Sequence, residues 1–362
     1  MKNDKGLRAI LRKFIPLNKA RLDCFSDLLQ ATLILRIVNL NILATAIPSQ
    51  TKLESRIRRL QRFFAQVTID YKSLAKVLFH LIFSEGQKVE LIMDRTNWKF
   101  GLVDINILML SAVHNGVSIP LFWKLLGHAG NSKVQERAEL LNQFIETFGR
   151  GAIKYLLADR EFIGAEWLDY LTHQRIAYLL RTKDNIEAFD PRKKKYVASK
   201  ALFKNLAKGK ARKRARYYIF LGHRVHLYGS RDSKGELQVL ISPLQLKKAA
   251  KKYKKRWQIE TLFQSLKGRG FHLEETHLIR PERLKLLIAV LGIAFVWALR
   301  VGLCLNESNP VRVKKHGRLS QSLFRLGLDR LSEAVIRRSY QYHEMNVLEL
   351  FRLNTSTFCW SR

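Results

Sequence analysis

The chain has 362 residues, of which 47% are hydrophobic, and its 65 Lys and Arg against 30 Asp and Glu give a formal net charge of +35. The apolar content excludes a disordered chain and, with the length, predicts a globular protein of two or three domains. The charge is far larger than solubility requires, so we expect a polyanionic partner, namely nucleic acid.

The three cysteines, Cys24, Cys304 and Cys359, are widely spaced and form no C-x-x-C pair. The sequence therefore indicates neither a disulfide framework nor a zinc site. The basic N-terminus lacks the uninterrupted apolar core of a signal peptide. The apolar run 286–299 is short for a membrane span and is followed by Arg300, which favours a buried core helix. We expect a cytoplasmic protein in contact with nucleic acid.

Residues 1–85 are predicted to form an N-terminal helical domain. Residues 24–41 carry apolar side chains at helical spacing, and 53–64 (LESRIRRLQRFF) form a strongly basic amphipathic segment. Thr51 and Glu54 are spaced as in a capping box at the start of that segment. Such a unit could dock on DNA or could form a helical cap on the next domain.

Residues 86–305 are predicted to form an α/β domain with a mixed sheet flanked by helices. Three antiparallel-type strands are followed by a helix, a strand, a helix and a strand, an order typical of this class. The predicted strands are 89–94, 104–113, 117–123, 153–159 and 177–181, and the first helix is 131–148.

Residues 182–243 are predicted to be a β-rich basic insertion in that domain. Between Arg181 and Arg256 the chain has 24 Lys and Arg against five Asp and Glu. The run 208–216 (KGKARKRAR) is interpreted as a basic loop. The candidate DNA-binding residues in this run are Arg212, Lys213 and Arg214. A C-terminal helical tail, 306–362, is a candidate for dimerisation.

One segment after the insertion, 246–268, is predicted to be a single helix that ends near Gly268 and Gly270. At 100° per residue, four side chains of this helix fall within about 60° of arc. These four are Tyr253, Arg256, Glu260 and Lys267. The neighbouring arc is apolar and is expected to be buried; it consists of Ile259, Leu262, Phe263 and Leu266.

That arrangement suits gripping phosphates while holding a metal, because a lone carboxylate is flanked by phenol, guanidinium and ammonium groups. Lys254 and Lys255 extend the basic surface of the helix and are further candidates for DNA contact. The alternative is an amphipathic basic helix in which Glu260 merely forms i,i+4-type pairs.

Two predicted strands end in an aspartate followed by arginine, at Asp94 and Asp159. With Glu260, they give three carboxylates that could converge at one edge of the sheet. Hard oxygen ligands together with substrate phosphates are what Mg²⁺ prefers. In the alternative interpretation Asp94 pairs with Arg95 or caps a turn, and Asp159 is a helix N-cap. The competitors for the metal role are Asp104, Glu161 and Asp169.

These motifs resemble the DDE transposases of bacterial insertion sequences, in the branch of insertion-sequence family four type with a Y-x2-R-x3-E-x6-K signature. Tyr253, Arg256, Glu260 and Lys267 match all four signature positions. IMDRTNW (92–98) resembles the strand with the first aspartate of that family, and LADREF (157–162) resembles the second-aspartate motif. The resemblance covers roughly residues 50–300.

The resemblance implies an RNase H-like catalytic core with a β-rich insertion between the second aspartate and the glutamate. It implies that Asp94, Asp159 and Glu260 bind two Mg²⁺ ions, which Mn²⁺ can replace. It implies phosphate contacts by Tyr253 and Lys267 together with Arg256, and a homodimer that synapses the element ends with target DNA in a bacterial cell.

The resemblance also implies cut-and-paste transposition, with strand cleavage followed by strand transfer. Two alternatives stay open: an RNase H-like nuclease without strand transfer, and an inactive transposase-derived DNA-binding protein. In some relatives a tryptophan of the insertion stacks on a displaced base. This chain has no tryptophan between Trp167 and Trp257. The aromatic substitutes available in the insertion are Tyr217, Tyr218, Phe220 and Tyr228.

Overall fold

The computed structural model of the chain describes residues 4–337 apart from 316 and 318, and also residues 341, 342, 345, 346 and 348. Five helices come first, as the apolar periodicity of 1–85 predicts. They are α1 (Asp4–Phe14), α2 (Lys19–Leu35), α3 (Leu40–Thr45), α4 (Leu53–Gln66) and α5 (Tyr71–His80). Side-chain oxygens of Asn18, Asn39 and Asp70 cap α2, α3 and α5 by accepting hydrogen bonds from backbone amides.

The predicted capping box of α4 is wrong. The N-cap residue is Lys52, and it makes no side-chain capping bond. The Thr51 hydroxyl is instead hydrogen-bonded to the Ser49 hydroxyl at 2.9 Å. A T-x-x-E spacing forms a box only when the threonine itself is the N-cap residue, and here the helix begins one residue later.

A mixed sheet begins after the helices, and each predicted strand of this part is present. The strands are β1 (Val89–Phe100), β2 (Val103–His114), β3 (Val117–Leu125), β4 (Ile153–Ala158) and β5 (Tyr178–Arg181). β1, β2 and β3 are antiparallel neighbours, whereas β1, β4 and β5 are parallel. The helices α6 (Val134–Phe148) and α7 (Ala165–His173) lie in the crossovers that parallel pairing requires. The expectation of a mixed α/β sheet flanked by helices is confirmed.

Five more strands extend the same sheet. They are β6 (Glu187–Asp190), β7 (Lys195–Ala198), β8 (Ala211–Phe220), β9 (His223–Arg231) and β10 (Leu237–Ser242), with a short helix α8 (Ser199–Leu202). The sheet order is β3-β2-β1-β4-β5-β10-β9-β8-β6-β7. β10 joins the two halves by pairing antiparallel with β5. The interpretation of 208–216 as a loop is wrong, because residues from Ala211 onward lie on β8.

The segment 246–268 is not one continuous helix. α9 (Ala249–Tyr253) leads into a 3₁₀ turn, Lys254–Trp257, which is followed by α10 (Gln258–Leu266). The tighter turn rotates each residue by about 120° rather than 100°, so the four signature side chains do not share one α-helical arc. The predicted burial of the apolar stripe is confirmed for all four residues, Ile259, Leu262, Phe263 and Leu266.

The long helix α11 (Pro281–Ser308) passes through the core. By length and composition it is the one helix of the described residues that could cross a membrane, yet 89% of its most apolar window is buried inside the protein. This burial supports the interpretation of 286–299 as a core helix. α12 (Leu323–Ile336) packs against α11 and α2, and two short strands, β11 (Gln341–Tyr342) and β12 (Met345–Asn346), follow.

The closing helix is tied to the first domain by polar contacts. Arg36 donates to Asp329 on α12 at 2.6 Å, and the Ser332 hydroxyl donates to the backbone carbonyl of Leu33 at 2.6 Å. In the tail 306–362, predicted to be helical, α12 is a helix, whereas the last part, 349–362, with Cys359, lies outside the described residues.

Candidate active site

The parallel pairing of β1 and β4 brings two predicted aspartates together. Ile92 lies opposite Leu157 across the two strands. Asp94 and Asp159 each follow two residues later, and side chains two residues apart in a strand share a face. The prediction that these two acids converge at one edge of the sheet follows directly from this register.

Arg256 joins the first aspartate to the glutamate. One guanidinium nitrogen is 2.8 Å from Asp94 Oδ2, and the other terminal nitrogen is 2.7 Å from Glu260 Oε1. The three side chains are 10%, 15% and 29% exposed, in the order Arg256, Asp94, Glu260. The Asp94 pair is therefore shielded from water, which makes it stronger than a surface pair. Glu260 does form an i,i+4 pair, as the alternative interpretation proposed, but its partner is shared with Asp94.

Asp159 lies on the other side of Tyr253. The Tyr253 hydroxyl is 3.3 Å from the backbone carbonyl of Ala158 and 3.4 Å from Asp159 Oδ1. Arg181 at the end of β5 is 3.8 Å from the same carboxylate oxygen. Asp159 is also the N-cap of a short 3₁₀ turn, since its Oδ1 accepts from the Arg160 amide at 2.7 Å. The N-cap interpretation of Asp159 is thus confirmed, whereas no group of three clustered acids is present among the described residues.

Burial controls the ionisation of this cluster. Desolvation raises the pKa of Asp94 from its ordinary value to about 6, against the opposing effect of the Arg256 charge, and the nearby carboxylates of Glu161 and Asp159 raise it further. Burial likewise raises the pKa of the Tyr253 phenol, so this hydroxyl stays protonated and acts as a donor. The site thus holds a carboxylate that would gain from an additional positive charge.

A second ion pair fixes the two strand ends relative to each other, and the sequence did not predict it. Arg95 donates to both oxygens of Glu161, at 2.8 and 2.9 Å, and to Asn106 Oδ1 at 3.0 Å. Asn106 in turn donates to two loop carbonyls, those of His128 and Gly130. The Arg95 guanidinium is thus the partner of Glu161. The hydrogen bond between Asp94 and Arg95 is one in which the backbone amide of Arg95 donates to Asp94 Oδ1 at 2.8 Å.

The other competing acids lie in surface pairs. Asp104 is 3.9 Å from Lys99, and Asp169 is 3.0 Å from His223.

A cleft of about 400 Å³ opens beside Glu260. Lys267 lines it just beyond the end of α10, where its ammonium is 2.8 Å from Glu274 and 4.9 Å from the centre of the Trp98 ring. Lys254 is exposed, whereas Lys255 is paired with buried Glu90 at 2.7 Å. Of these three lysines, Lys267 is the one that lines the cleft.

The structure separates the basic candidates of β8 from one another. Arg212 and Lys213 are exposed, and Lys213 donates to Gln245 at 2.9 Å. Arg214 lies over the Phe203 ring at 5.7 Å and is only partly exposed. Arg212 and Lys213 therefore present charge to solvent, whereas Arg214 packs against the protein.

The four aromatic residues considered above as substitutes for the tryptophan are poorly placed for base stacking. Tyr218, Phe220 and Tyr228 are buried, and Arg224 covers the Tyr217 ring at 3.9 Å. An exposed aromatic does lie beside the acids: Trp257 is 62% exposed and directly follows Arg256. The sequence could have pointed to Trp257, because it lies between Arg256 and Glu260 of the signature.

The donor chemistry of the site fits a divalent cation, although the present geometry does not enclose one. Among the described residues, no group of three or more His, Cys, Asp or Glu side chains is close enough to hold a metal ion. A cationic guanidinium instead lies between Asp94 and Glu260. Asp94 and Glu260 thus already share one positive group.

Residues 85–297, more than half of the chain, match the family described as the transposase DDE domain. The chain belongs to this family of DNA transposases. Among solved structures it is similar to the cryo-EM structure of a piggyBac transposase synaptic complex with hairpin DNA, with 14% identity and a TM-score of 0.46 over 94% of this chain and 77% of the other. No curated protein sequence matches the chain.

Proposed function

We propose that this transposase cleaves DNA strands at the ends of an insertion sequence and transfers them to a target in a divalent-metal-dependent reaction. The observation that carries the proposal is the register of β1 and β4, which places Asp94 and Asp159 at matching positions, with Glu260 linked to Asp94 through Arg256. The match of all four Y-R-E-K positions supports a bacterial enzyme of the family-four branch.

Asp94, Asp159 and Glu260 are the proposed ligands of two Mg²⁺ ions, or of Mn²⁺ in their place. Bound there, the metal would supply Lewis-acid activation of the attacking oxygen and stabilisation of the leaving oxygen. Arg256 then becomes free to donate two parallel hydrogen bonds to a DNA phosphate. Lys267, at the cleft, adds a point charge to the phosphate backbone, and the protonated Tyr253 hydroxyl holds Asp159 in position.

The proposed chemistry consists of two in-line displacements at phosphorus. In the first, water adds to the phosphate and the P–O3′ bond breaks, which leaves a 5′-phosphate and a 3′-hydroxyl. In the second, that 3′-hydroxyl attacks a target phosphodiester, and the displaced 3′-oxygen takes up a proton. The contribution of the protein to both is to position the DNA and to neutralise its charge.

The domain organisation supports the same assignment. The sheet order β3-β2-β1-β4-β5, with three antiparallel strands followed by two parallel ones, supports an RNase H-like core, and β6 to β10 are the proposed β-rich insertion, residues 182–243. Residues 1–85 are the proposed DNA-binding domain, 86–305 the catalytic domain and 306–362 the region of dimerisation. The enzyme is proposed to act as a homodimer on DNA in the cytoplasm.

The test is incubation of the full chain with a duplex carrying the DNA that flanks the gene, with and without Mg²⁺. We expect strand cleavage by wild type with Mg²⁺, and a loss of at least about 100-fold in Asp94→Asn and Glu260→Gln. The matched control is Asp169→Asn, which removes a surface carboxylate and should cleave like wild type. Equal cleavage by Glu260→Gln, or cleavage that needs no divalent ion, would contradict the proposal.

A further inference from the structure

A second groove lies away from the acids, between the N-terminal helices and the segment that enters α11. Its volume is about 830 Å³. Arg58 and Arg62 on α4 line one wall, and Arg283 in the first turn of α11 lines the other. No Asp or Glu belongs to the lining in the described part of the chain, so no carboxylate within the groove opposes the charge of its three arginines.

The arginines of α4 divide into two sets. Arg56 donates to the backbone carbonyl of Ile47 at 3.0 Å, and Arg59 is paired with Asp27 at 2.8 Å, so both hold the helix in place. Arg58 and Arg62 make no hydrogen bond or ion pair with any described residue and are exposed. Arg283, across the groove, also has no such partner within the described ranges. These three guanidinium groups are free to bind an anion.

The rest of the lining is mixed: it contains apolar side chains, among them Phe64 and Leu278, and neutral polar ones. Asn39, Ser55 and Gln61 add neutral hydrogen-bonding groups beside the arginines. Guanidinium groups bind phosphate oxygens bidentately, while amide and hydroxyl groups commonly complete contacts to a nucleic-acid backbone.

The groove is connected to the candidate active site through β1. His277 lines the groove, and its ring centre is 5.1 Å from that of Phe100. Phe100 lies six residues beyond Asp94 on the same strand, a distance of about 20 Å in extended chain. Duplex DNA rises about 3.4 Å per base pair, so this distance corresponds to about six base pairs.

We infer that the groove binds the phosphate backbone of the duplex whose end lies in the active site, at phosphates about six to nine base pairs from the cleaved bond. The inference rests on the proposed function and adds to it a second, defined contact. Arg58, Arg62 and Arg283 carry this contact, and it sets the distance between the bound duplex and the acids.

The first test measures the affinity of the full chain for a fluorescein-labelled 30-base-pair duplex from the flanking DNA as salt is varied. Each arginine–phosphate contact contributes about 0.9 to the slope of log K against log salt. The variant Arg58→Ala/Arg62→Ala/Arg283→Ala should therefore lose about two to three units of slope. All three side chains lie at the surface, so we expect its thermal midpoint to stay within a few degrees of wild type.

The matched control removes the same charge elsewhere. Lys19, Arg21 and Lys76 are exposed on other parts of the N-terminal helices and do not line the groove. Their triple alanine variant should keep the slope to within about one unit. An equal loss in both variants would mean that only net charge matters and would overturn the inference. A groove variant that keeps the wild-type slope of log K against log salt would also overturn the inference. This holds even if sedimentation shows that the variant no longer dimerises.

The second test locates the contact. Uncharged methylphosphonates are placed singly along the duplex, and binding is compared between wild type and the groove variant. We expect substitutions six to nine base pairs from the cleaved bond to weaken wild-type binding several-fold and to leave the variant unaffected. Sensitivity confined to other positions would overturn the inference. Cleavage by wild type, scored on the same duplex, reports separately on the proposed function.

Discussion

The Arg256 guanidinium balances the negative charge of the candidate active site. It contacts Asp94 and Glu260 at once, and burial disfavours the charged form of Asp94 in spite of this partner. If these carboxylates hold the metal of the proposed function, a metal ion and the Arg256 guanidinium would compete for the same oxygens. A DNA phosphate that drew Arg256 away would then relieve this competition and couple DNA binding to metal binding.

This competition predicts that Arg256→Ala binds Mn²⁺ more tightly than wild type in the absence of DNA. We expect a gain of about tenfold, within the usual range of coupling free energies, measured by electron paramagnetic resonance of free Mn²⁺. The matched control is Arg160→Ala, which removes an exposed charge next to Asp159 without breaking a described ion pair. The same affinity in wild type and Arg256→Ala would rule out the competition.

The same substitution should lower stability. Removing one partner of a shielded ion pair leaves an uncompensated charge, at a cost of about 3 kcal/mol. The midpoint of thermal unfolding of Arg256→Ala should therefore fall in buffer without divalent ions. Saturating Mn²⁺ should restore a larger part of it in this variant than in wild type, since the ion binds the folded state.

Trp257 is the residue we expect to stack on an unpaired base near the cleaved bond. A base stacked on an aromatic side chain contributes about 1–3 kcal/mol. Trp257→Ala should therefore weaken binding of a duplex with unpaired bases at its end by about tenfold and binding of a blunt duplex much less. Tyr217→Ala is the control, because Arg224 already covers that ring. Equal losses on both duplexes in Trp257→Ala would contradict this role.

At the scale of elements, α11 and α12 cross at unusually close range. A Cβ on Gly302 would lie 1.8 Å from the Leu323 carbonyl oxygen, and one on Gly327 would lie 1.7 Å from the Ala298 carbonyl oxygen. No side chain fits at either position, so the two helix backbones are in direct contact. This crossing holds the buried face of α11 against the last described helix.

Gly302→Ala should consequently destabilise the protein by about 3 kcal/mol or more, because the backbones must move apart. Gly292→Ala on the same helix is the matched control. Its Cβ would meet only Pro120 and Leu78 side-chain atoms at 3.7 and 3.8 Å, an ordinary contact. It should stabilise the helix by up to about 1 kcal/mol. Urea unfolding of both variants checks this, and equal effects would contradict the close crossing.

Most elements were predictable from the sequence, because apolar periodicity reports burial directly. The strand that contains Asp94 and the one that leads to Asp159 were found in this way, and so was the buried stripe of α10, although β1 continues to Phe100 rather than ending at Asp94. The sequence could not predict the 3₁₀ turn at Lys254–Trp257, since the same residues satisfy a continuous helical pattern. It also could not predict that β8 carries the basic run. Alternation of charged and small residues there resembles a loop, and only pairing with β9 makes it a strand.

The sequence named the candidate residues of the site but could not predict which of them are bonded to one another. Asp94, Asp159 and Glu260 could be named as candidates from sequence motifs alone. That Arg95 bonds Glu161 rather than Asp94, and that Arg256 bridges two of the acids, depends on side-chain directions that spacing does not encode. The groove lined by Arg58 and residues near α11 joins segments more than 200 positions apart, so no local pattern marks it.

At the scale of the whole molecule, the net charge of +35 should dominate the affinity of the protein for DNA of any sequence. The affinity for a duplex of unrelated sequence should fall steeply between 50 and 200 mM salt, by about a thousandfold if six phosphates are contacted. Arg212→Ala/Lys213→Ala should weaken this binding to a similar extent on every sequence tested, because both side chains are exposed charges on β8. Binding that does not respond to salt would exclude a phosphate-dominated contact.

The contact between Arg36 and Asp329 spans 293 positions of the chain. At about 5–20 residues per second, a ribosome takes about 15–60 s to pass from one to the other. Through that interval α2 lacks its contact with α12, and the face of α11 that α12 covers stays exposed. The fold is thus complete only after α12 has been synthesised, and a chain that stopped before α12 would expose apolar surface prone to aggregation.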